Sequence, residues 1–146
     1  MEAKVGGSEL YGIGDAAART GASERALRYY QELGLLTPCA RTKGGMRRYS
    51  EADLGRVSRI RELQSVLGLN LDEIAVVLRS EDRMSEIKAA YHGTKAGTAE
   101  REALVEEALQ LQEQLLATVR AKRGALEEFL SDLEERIART KELGRR

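Results

Sequence analysis

Apolar residues recur every three or four positions over most of the chain, and this spacing predicts a mainly α-helical protein. A first short helix is predicted over residues 13–20, and Gly21 breaks it. Ser23 is a good N-cap for a second helix over residues 24–33. Two helices joined by a tight turn that holds a glycine are the layout of a helix-turn-helix.

The segment after the second helix has the turn chemistry of a small β-hairpin. Gly34 ends the helix, the adjacent Gly44 and Gly45 favour a turn, and the strand-like residues 47–49 follow. A hairpin in this place would form a wing beside the two helices. We therefore assign residues 11–80 to a winged helix-turn-helix domain.

Two more helices are predicted within this domain. Ser50 can cap the third helix, and Asp53, three residues later, can return the second bond of a capping box. Gly68 closes that helix. The fourth helix opens at Asn70 or Asp72, and the sequence leaves both open as N-caps.

The segments on either side of this domain lack a long periodic pattern. Residues 1–10 have no periodicity and hold two adjacent glycines, so we expect a flexible leader. Residues 81–98 are predicted to be a linker with a short helical joint, because glycines at 93 and 97 interrupt the pattern.

Residues 99–143 contain no proline and one glycine, which predicts a helix roughly 65 Å long. The compact first half of the chain is too small to cover the apolar stripe of such a helix. We therefore expect the helix to pair with its copy as a coiled coil. The expected dimer-interface residues are Leu104, Ala108, Leu111, Leu115, Leu126, Leu133 and Ile137. The predicted fold is therefore an N-terminal winged helix-turn-helix followed by a long C-terminal dimerisation helix.

Charge is distributed unevenly although the formal net charge is zero. Residues 19–61 hold ten Lys or Arg against four Asp or Glu, whereas residues 99–143 hold seven against eleven. A local basic surface of this kind is typical of nucleic-acid binding. The acidic helix should stay away from DNA while the first half engages it.

Several classes of protein are excluded by what the sequence does not contain. Cys39 is the one cysteine, so neither an internal disulfide nor a metal-thiolate cluster within one chain is expected, and we predict no metal and no cofactor. No nucleophile is paired with a base and no glycine loop could cradle phosphate, so we do not expect an enzyme. No apolar run approaches the roughly 18 residues of a membrane span or forms a signal core, and we expect a cytoplasmic, nucleoid-associated protein.

Several motifs follow one another in order along residues 11–78. They are Tyr11–Ala17, Thr20–Ser23, Leu27–Pro38, Arg41–Thr42, Gly45–Tyr49, Asp53–Leu54, Ile60, Leu67–Gly68 and Leu71–Ile74. Together they resemble the mercury-resistance regulator (MerR) family. The sequence departs from the family pattern at Met46, where tyrosine is frequent, and in a wing that is one residue longer. Both departures concern the wing contacts rather than the fold.

The position of the second helix suggests which residues contact DNA. Its first turn would point into the major groove, which makes Arg25 and Glu24 candidates for base contacts, although Glu24 also suits the positive end of the helix. In the family, the run Arg28, Tyr29 and Tyr30 holds the DNA backbone; Tyr30 also lies on the apolar face and could instead be core.

The remaining candidates for DNA contact are basic residues of the wing and third helix, together with the N-cap of the second. Such charges are often no more than a solvated surface, but the family wing lies at this position. The candidates are Arg41, Lys43, Arg47, Arg48, Arg59, Arg61 and Ser23.

The resemblance implies a homodimer whose antiparallel coiled coil sets two helix-turn-helix units on a pseudo-palindromic promoter site. Such dimers commonly bend and untwist a promoter spacer so that RNA polymerase can engage it. The alternative is a coiled-coil adaptor that binds another protein and not DNA. The sequence does not separate activator from repressor, and it does not identify the operator.

A small-molecule effector, if the protein has one, would have to bind at the joint or at the dimer interface. The candidate residues there are Tyr91, His92 and Phe129, for each of which packing or solvent exposure is the alternative role. Cys39 could be a redox or electrophile sensor, but a cysteine without a resolving partner is more often inert.

Overall fold

The computed structural model describes residues 4–5 and 8–146, with side chains from residue 9 onward. It contains β1 (Lys4–Val5), β2 (Ser8–Glu9), α1 (Ile13–Thr20), α2 (Glu24–Glu32), β3 (Ala40–Arg41), β4 (Arg47–Arg48), α3 (Glu51–Ser65), α4 (Leu71–Gly93) and α5 (Ala99–Gly144). The chain divides into two compact units, residues 1–78 and 79–146, which are described separately.

The first two helices form the predicted helix-turn-helix. Gly21 ends α1 in the left-handed conformation, with φ at +71°, and its N–H donates to the Ala17 carbonyl at 2.9 Å. The Ser23 hydroxyl accepts from the N–H of Ala26 at 3.0 Å and so caps α2. Local turn and cap chemistry therefore fixes the sharp connection between α1 and α2.

Gly21→Ala is expected to destabilise the protein, because an alanine in the left-handed conformation costs about 1–2 kcal/mol. The added Cβ would also press on the Arg61 guanidinium, whose Nη1 donates to the Thr20 carbonyl at 2.5 Å. Gly55→Ala is the matched control. Gly55 lies inside α3, and a Cβ added there would have no atom of another part of the chain within 4 Å, so the same change should stabilise by about 0.5–1 kcal/mol. Urea unfolding measures both, and equal effects would contradict this account.

The wing is the predicted hairpin. β3 and β4 pair antiparallel, with Ala40 opposite Arg48 and Arg41 opposite Arg47. Gly45 turns the chain with φ at +81°, and its N–H donates to the Thr42 carbonyl at 2.9 Å. A left-handed residue between two short strands matches the turn chemistry that the paired glycines predict.

The caps of the next two helices follow the sequence closely. The Ser50 hydroxyl accepts from the Asp53 N–H at 3.2 Å, and the Asp53 carboxylate accepts from the Ser50 N–H at 2.8 Å, so the capping box is confirmed. At α4 the Asn70 side-chain oxygen accepts from the N–H of Glu73 at 2.9 Å. Asn70, rather than Asp72, is therefore the cap.

The core of the first unit is formed where α1, α2, α3 and the start of α4 meet. Tyr49, at the end of the wing, is fully buried there, and its backbone N–H and C=O both bond to Tyr11 at 2.8 Å. The fully buried side chains of this unit are Tyr49, Leu27, Leu36, Ile60, Leu63, Ile74 and Val57. The wing is thus attached to the core by a buried aromatic side chain and by two backbone hydrogen bonds.

Two predictions about the flanking segments need correction. Within the expected leader, β1 and β2 pair antiparallel and Leu10 is buried; the rest of the leader, residues 1–3 and 6–7, lies outside the described residues. The short helical part expected within residues 81–98 is instead the end of α4, which is one continuous helix to Gly93. No glycine or proline lies between Leu71 and His92, so nothing interrupts the helix before that point.

The second unit consists of the later part of α4 and the 46-residue α5. Thr98 caps α5 by accepting from the Arg101 N–H at 3.3 Å. A two-bond ion pair joins the helices: Arg83 Nε and Nη2 donate to the Glu107 carboxylate at 2.5 and 2.8 Å. The Arg83 guanidinium lowers the pKa of Glu107. This pair links α4 to α5 beside an apolar contact that includes the buried Ile87.

Candidate nucleic-acid interface

One face of α2 is exposed and carries polar and basic side chains. Residues 25, 28, 29 and 32 are spaced three or four apart, which puts them on the same side of a helix. They line a shallow hollow of about 600 Å³ whose full lining is Ser23, Arg25, Ala26, Arg28, Tyr29 and Glu32. Tyr29 is 47% exposed. The predicted base and phosphate candidates of this helix therefore share one accessible surface.

Tyr30 differs from Tyr29 in its exposure. It is only 5% exposed, and its hydroxyl donates to Gln64 Oε1 at 3.1 Å. Burial raises the pKa of Tyr30. The residue shares the buried face of α2 with Leu27, so its burial supports the core role that the sequence left open rather than a phosphate contact.

Arg28 connects the helix surface to the wing. Besides the hollow on α2, it lines a second groove of about 280 Å³ together with Ile13, Arg41, Gly45, Met46 and Arg47. The α2 surface and the wing are therefore parts of one continuous basic surface. Arg28 also forms a 3.5 Å ion pair with Glu24, both about half exposed. An exposed pair of this kind is weak, so the guanidinium can exchange the carboxylate for another anion.

The other predicted basic residues of the wing fall into two groups. Arg41 and Lys43 are exposed, and Arg41 Nη1 donates to the Gly45 carbonyl at 3.4 Å. Arg48 points back toward α1: it is half-buried and its Nη1 lies close to Gly12. Its Nε is buried and has no hydrogen-bond partner within the part of the chain that the structure describes.

The two arginines of α3 that the sequence offers as DNA contacts have partners within the protein. Arg59 pairs with Glu62 at 2.9 Å, and Arg61 donates to the Thr20 carbonyl in the helix-turn-helix turn. Arg61 therefore holds the end of α1 in place, a role that its sequence position alone does not reveal. This role is revealed only by a side-chain contact between residues that are far apart in the chain.

Cys39 lies at the start of the wing, and its surroundings disfavour the thiolate. Its N–H donates to Asp53 Oδ2 at 3.2 Å, and its Sγ is 3.6 Å from the Arg48 carbonyl. The residue as a whole is exposed, yet local burial of the sulfur raises the pKa of Cys39, and the negative charge of Asp53 raises it further. Reactive cysteines have the opposite shift.

Iodoacetamide is expected to alkylate Cys39 more slowly than a free cysteine peptide at pH 7–8. The raised pKa leaves less thiolate at these pH values, and the deficit should shrink as the pH approaches the shifted pKa. Mass spectrometry of timed samples gives the rate. Cys39→Ser should leave folding and DNA affinity unchanged. Faster alkylation than the peptide would support the sensor role instead.

The effector candidates do not form one cluster in the second unit. Tyr91 lies near the end of α4, with the guanidinium of Arg101 from α5 3.8 Å above its ring and His92 edge-on at 5.8 Å. It lines two adjoining hollows of about 570 and 500 Å³. Phe129 is exposed and lies about 40 Å further along α5 than Arg101. Tyr91 and Phe129 therefore cannot belong to one pocket within a single chain.

The residues predicted for the dimer interface differ in exposure along α5. Leu104, Ala108, Leu111 and Leu115 are half-buried, and Leu104 and Ala108 are among the residues that line the hollow shared with α4. Leu126, Leu133 and Ile137 are exposed. The other large apolar residues of α5 that are exposed are Val105, Leu109, Leu116, Val119, Phe129, Leu130 and Leu143.

Metal-binding and membrane-spanning features are absent from the described part of the chain. Within residues 4–5 and 8–146, no group of three His, Cys, Asp or Glu side chains could hold a metal ion. None of the helices described is long and apolar enough to cross a membrane.

A helix-turn-helix with a wing, followed by one long helix, is the architecture of a class of transcription regulators. Residues 11–81 match the family described as MerR HTH family regulatory protein. The regulator CueR of Escherichia coli O6:H1, described as an HTH-type transcriptional regulator, is 33% identical over 110 residues, or 75% of this chain and 81% of CueR. The chain belongs to the MerR family, which consists of regulators rather than enzymes.

Other similarities differ in how much of each protein they cover. The HTH-type transcriptional activator TipA of Streptomyces coelicolor is 43% identical over 68 residues, which are 47% of this chain. The match spans about a quarter of the length of TipA (26%). A MerR family structure from Listeria monocytogenes superposes with a TM-score of 0.53 at 20% identity, covering 87% of this chain and 83% of the other, and supports the fold.

Proposed function

We propose that this protein is a sequence-specific DNA-binding transcription regulator that acts as a homodimer. The observation that carries the proposal is the continuous basic surface formed by α2 and the wing, which meet at Arg28. A helix with an exposed basic face fits the major groove, and a hairpin beside it can follow the adjacent backbone.

The first turn of α2 supplies the base contacts in this proposal. Arg25 is exposed and without a resolved ion pair among the described residues, so its guanidinium is available for a guanine edge. Glu24 stays with Arg28 in the free protein and can accept from a cytosine amine once Arg28 binds phosphate. Ser23 holds the turn that presents both residues.

Backbone contacts come from side chains on both sides of the groove. Arg28 and Tyr29 act from α2, and Arg41, Lys43 and Arg47 act from the wing. Their donors suit phosphate oxygens and carry no base preference of their own.

The remaining candidates have a supporting role. Arg48, Arg59 and Arg61 contact protein groups near the surface, and Tyr30 belongs to the core that carries α2. We propose that they shape the surface and do not contact DNA themselves.

The regulatory step in this proposal is mechanical. A dimer held together by α5 would place its two helix-turn-helix domains on a pseudo-palindromic promoter and distort the spacer. RNA polymerase could then engage the promoter. We propose a cytoplasmic protein associated with the nucleoid. A small-molecule effector would act by changing how the dimer holds the DNA.

Selection of binding sites from random duplex DNA tests the proposal. We expect enrichment of a two-fold related sequence, bound by the parent protein and no longer bound when Arg25→Ala and Arg28→Ala are combined. In vitro transcription from a promoter with that site then reports activation or repression. If no duplex is enriched at low salt while the protein remains a folded dimer, a protein-binding adaptor replaces this proposal.

A further inference from the structure

The Glu24 carboxylate lies where the exposed surface of α2 meets the start of α1. Its Oε2 is 3.5 Å from Arg28 Nη2, and about half of each side chain is exposed. Its other oxygen, Oε1, is 3.5 Å from the place that a Cβ on Gly14 would take, in the first turn of α1. One carboxylate is therefore close both to α1 and to the arginine that joins the α2 surface to the wing.

The groove between α2 and the wing suits an anion. Among the described residues that line this groove of about 280 Å³, three are arginines, Arg28, Arg41 and Arg47, and none is acidic. Guanidinium groups gathered around one groove repel each other and attract phosphate oxygens. In the free protein, Glu24 supplies Arg28 with a carboxylate in place of a phosphate.

Glu24 and a DNA phosphate therefore compete for the same guanidinium. Exposed ion pairs are weak, so a phosphate that reaches Arg28 can displace the carboxylate. The displaced carboxylate stays in the first turn of α2, which lies in the major groove in the proposed complex. There it repels phosphate oxygens and base acceptors such as guanine O6 and N7, whereas the N4 amine of cytosine can donate to it.

We propose that Glu24 is a specificity-determining residue that suppresses binding to DNA without a cytosine amine at one position of the half-site. The inference rests on the proposed function, in which α2 enters the major groove. On unrelated DNA, Arg28 gains a phosphate but Glu24 loses its ion pair and gains no partner. On the correct half-site, the cytosine amine replaces Arg28 as that partner. Specificity then includes a penalty against wrong sequences, in addition to contacts with the right one.

The alternative role of Glu24 is purely structural. A carboxylate in the first turn of a helix stabilises that helix through its dipole. Removing such a carboxylate would lower the stability of the fold, and it would neither tighten any DNA complex nor change the preference for one base pair. The two roles therefore predict different changes in affinity for unrelated DNA.

Glu24→Gln in the full chain tests the inference, because it removes the charge and keeps the shape. Titrations at one salt concentration should show about two- to five-fold tighter binding of a scrambled duplex, the range expected from an exposed ion pair. Preference for the cytosine should fall by about five-fold or more, since glutamine matches adenine instead. Selection from random duplex DNA should then return adenine at that position.

Two controls separate competition for Arg28 from a change in overall charge. Glu32→Gln removes the same charge from the same surface of α2, and no ion pair joins Glu32 to Arg28 in the described part of the chain. It should tighten binding of the scrambled duplex less than Glu24→Gln does. With Arg28→Ala as the background, the gain from Glu24→Gln should shrink to that of Glu32→Gln, because the competition needs the guanidinium.

The inference is overturned by any of three results. They are scrambled-duplex binding that is unchanged or weaker in Glu24→Gln, an equal gain in Glu32→Gln, and a gain that persists in full without Arg28. Glu24→Ala should tighten scrambled-duplex binding to a similar extent, so the result does not depend on a new glutamine contact. A parent protein that binds its selected site while these tests fail keeps the proposed function, whereas binding to no duplex at low salt removes that function.

Discussion

Tyr49→Ala is expected to destabilise the protein by about 3–5 kcal/mol, the range for removing a large aromatic side chain from a core. Tyr49 is completely buried, and Gln31 Nε2 donates to its hydroxyl. The other end of that amide, Gln31 Oε1, is already buried without a partner among the described residues. Losing the phenol would leave the whole amide unsatisfied beside a cavity.

The consequence for function comes from where Tyr49 lies. Its backbone pairs with Tyr11 just before α1, and the wing strand β4 ends at the residue before it. A cavity at this point should loosen the wing from the helix-turn-helix, so DNA affinity should fall together with stability. Urea unfolding and a gel shift on the selected site measure the two effects.

Tyr29→Ala is the matched control, because it removes the same side chain from an exposed position of the same domain. Its stability should stay within about 0.5 kcal/mol of the parent. Its DNA affinity should nevertheless fall if Tyr29 contacts phosphate. Tyr49→Phe keeps the ring and should cost about 1–3 kcal/mol, the effect of leaving the Gln31 amide without its partner. If Tyr49→Ala unfolds at the urea concentration of the parent, the anchoring role is wrong.

The parts of the fold that the sequence predicts well are those decided by neighbouring residues. Ser23, Ser50 and Gly21 act within a few positions of themselves, through caps and a left-handed turn, and each is found as predicted. The paired glycines of the wing act locally too. Chemistry of this short range can be deduced from residue order alone.

Roles that depend on distant partners are not visible in the sequence. The sequence leaves Tyr30 open between DNA contact and core, and it makes Arg61 a surface candidate, until Gln64 and the Thr20 carbonyl are found beside them. The sequence also does not reveal which side of α5 is exposed. Leu104 and Val105 are equally apolar neighbours in the sequence, yet Leu104 is half-buried and Val105 is 45% exposed.

Arg28→Ala and Arg25→Ala are expected to weaken DNA binding in two distinguishable ways. Arg28 lies where the α2 surface meets the wing, so its removal should weaken binding to all sequences alike. The slope of log K against log salt should become shallower by about 0.9 for each phosphate that the variant no longer neutralises.

Arg25→Ala should act on base preference, because a guanidinium that holds a guanine edge contributes about 1–3 kcal/mol of discrimination. Affinity for the selected site should fall while affinity for unrelated duplex changes little. Arg139→Ala, on the exposed end of α5, is the control and should alter neither quantity. Titrations of selected and scrambled duplexes at several salt concentrations separate the two effects. If Arg25→Ala flattened the salt slope and Arg28→Ala relaxed base preference, the two roles on α2 would have to be exchanged, since phosphate contacts change the salt slope and base contacts change discrimination.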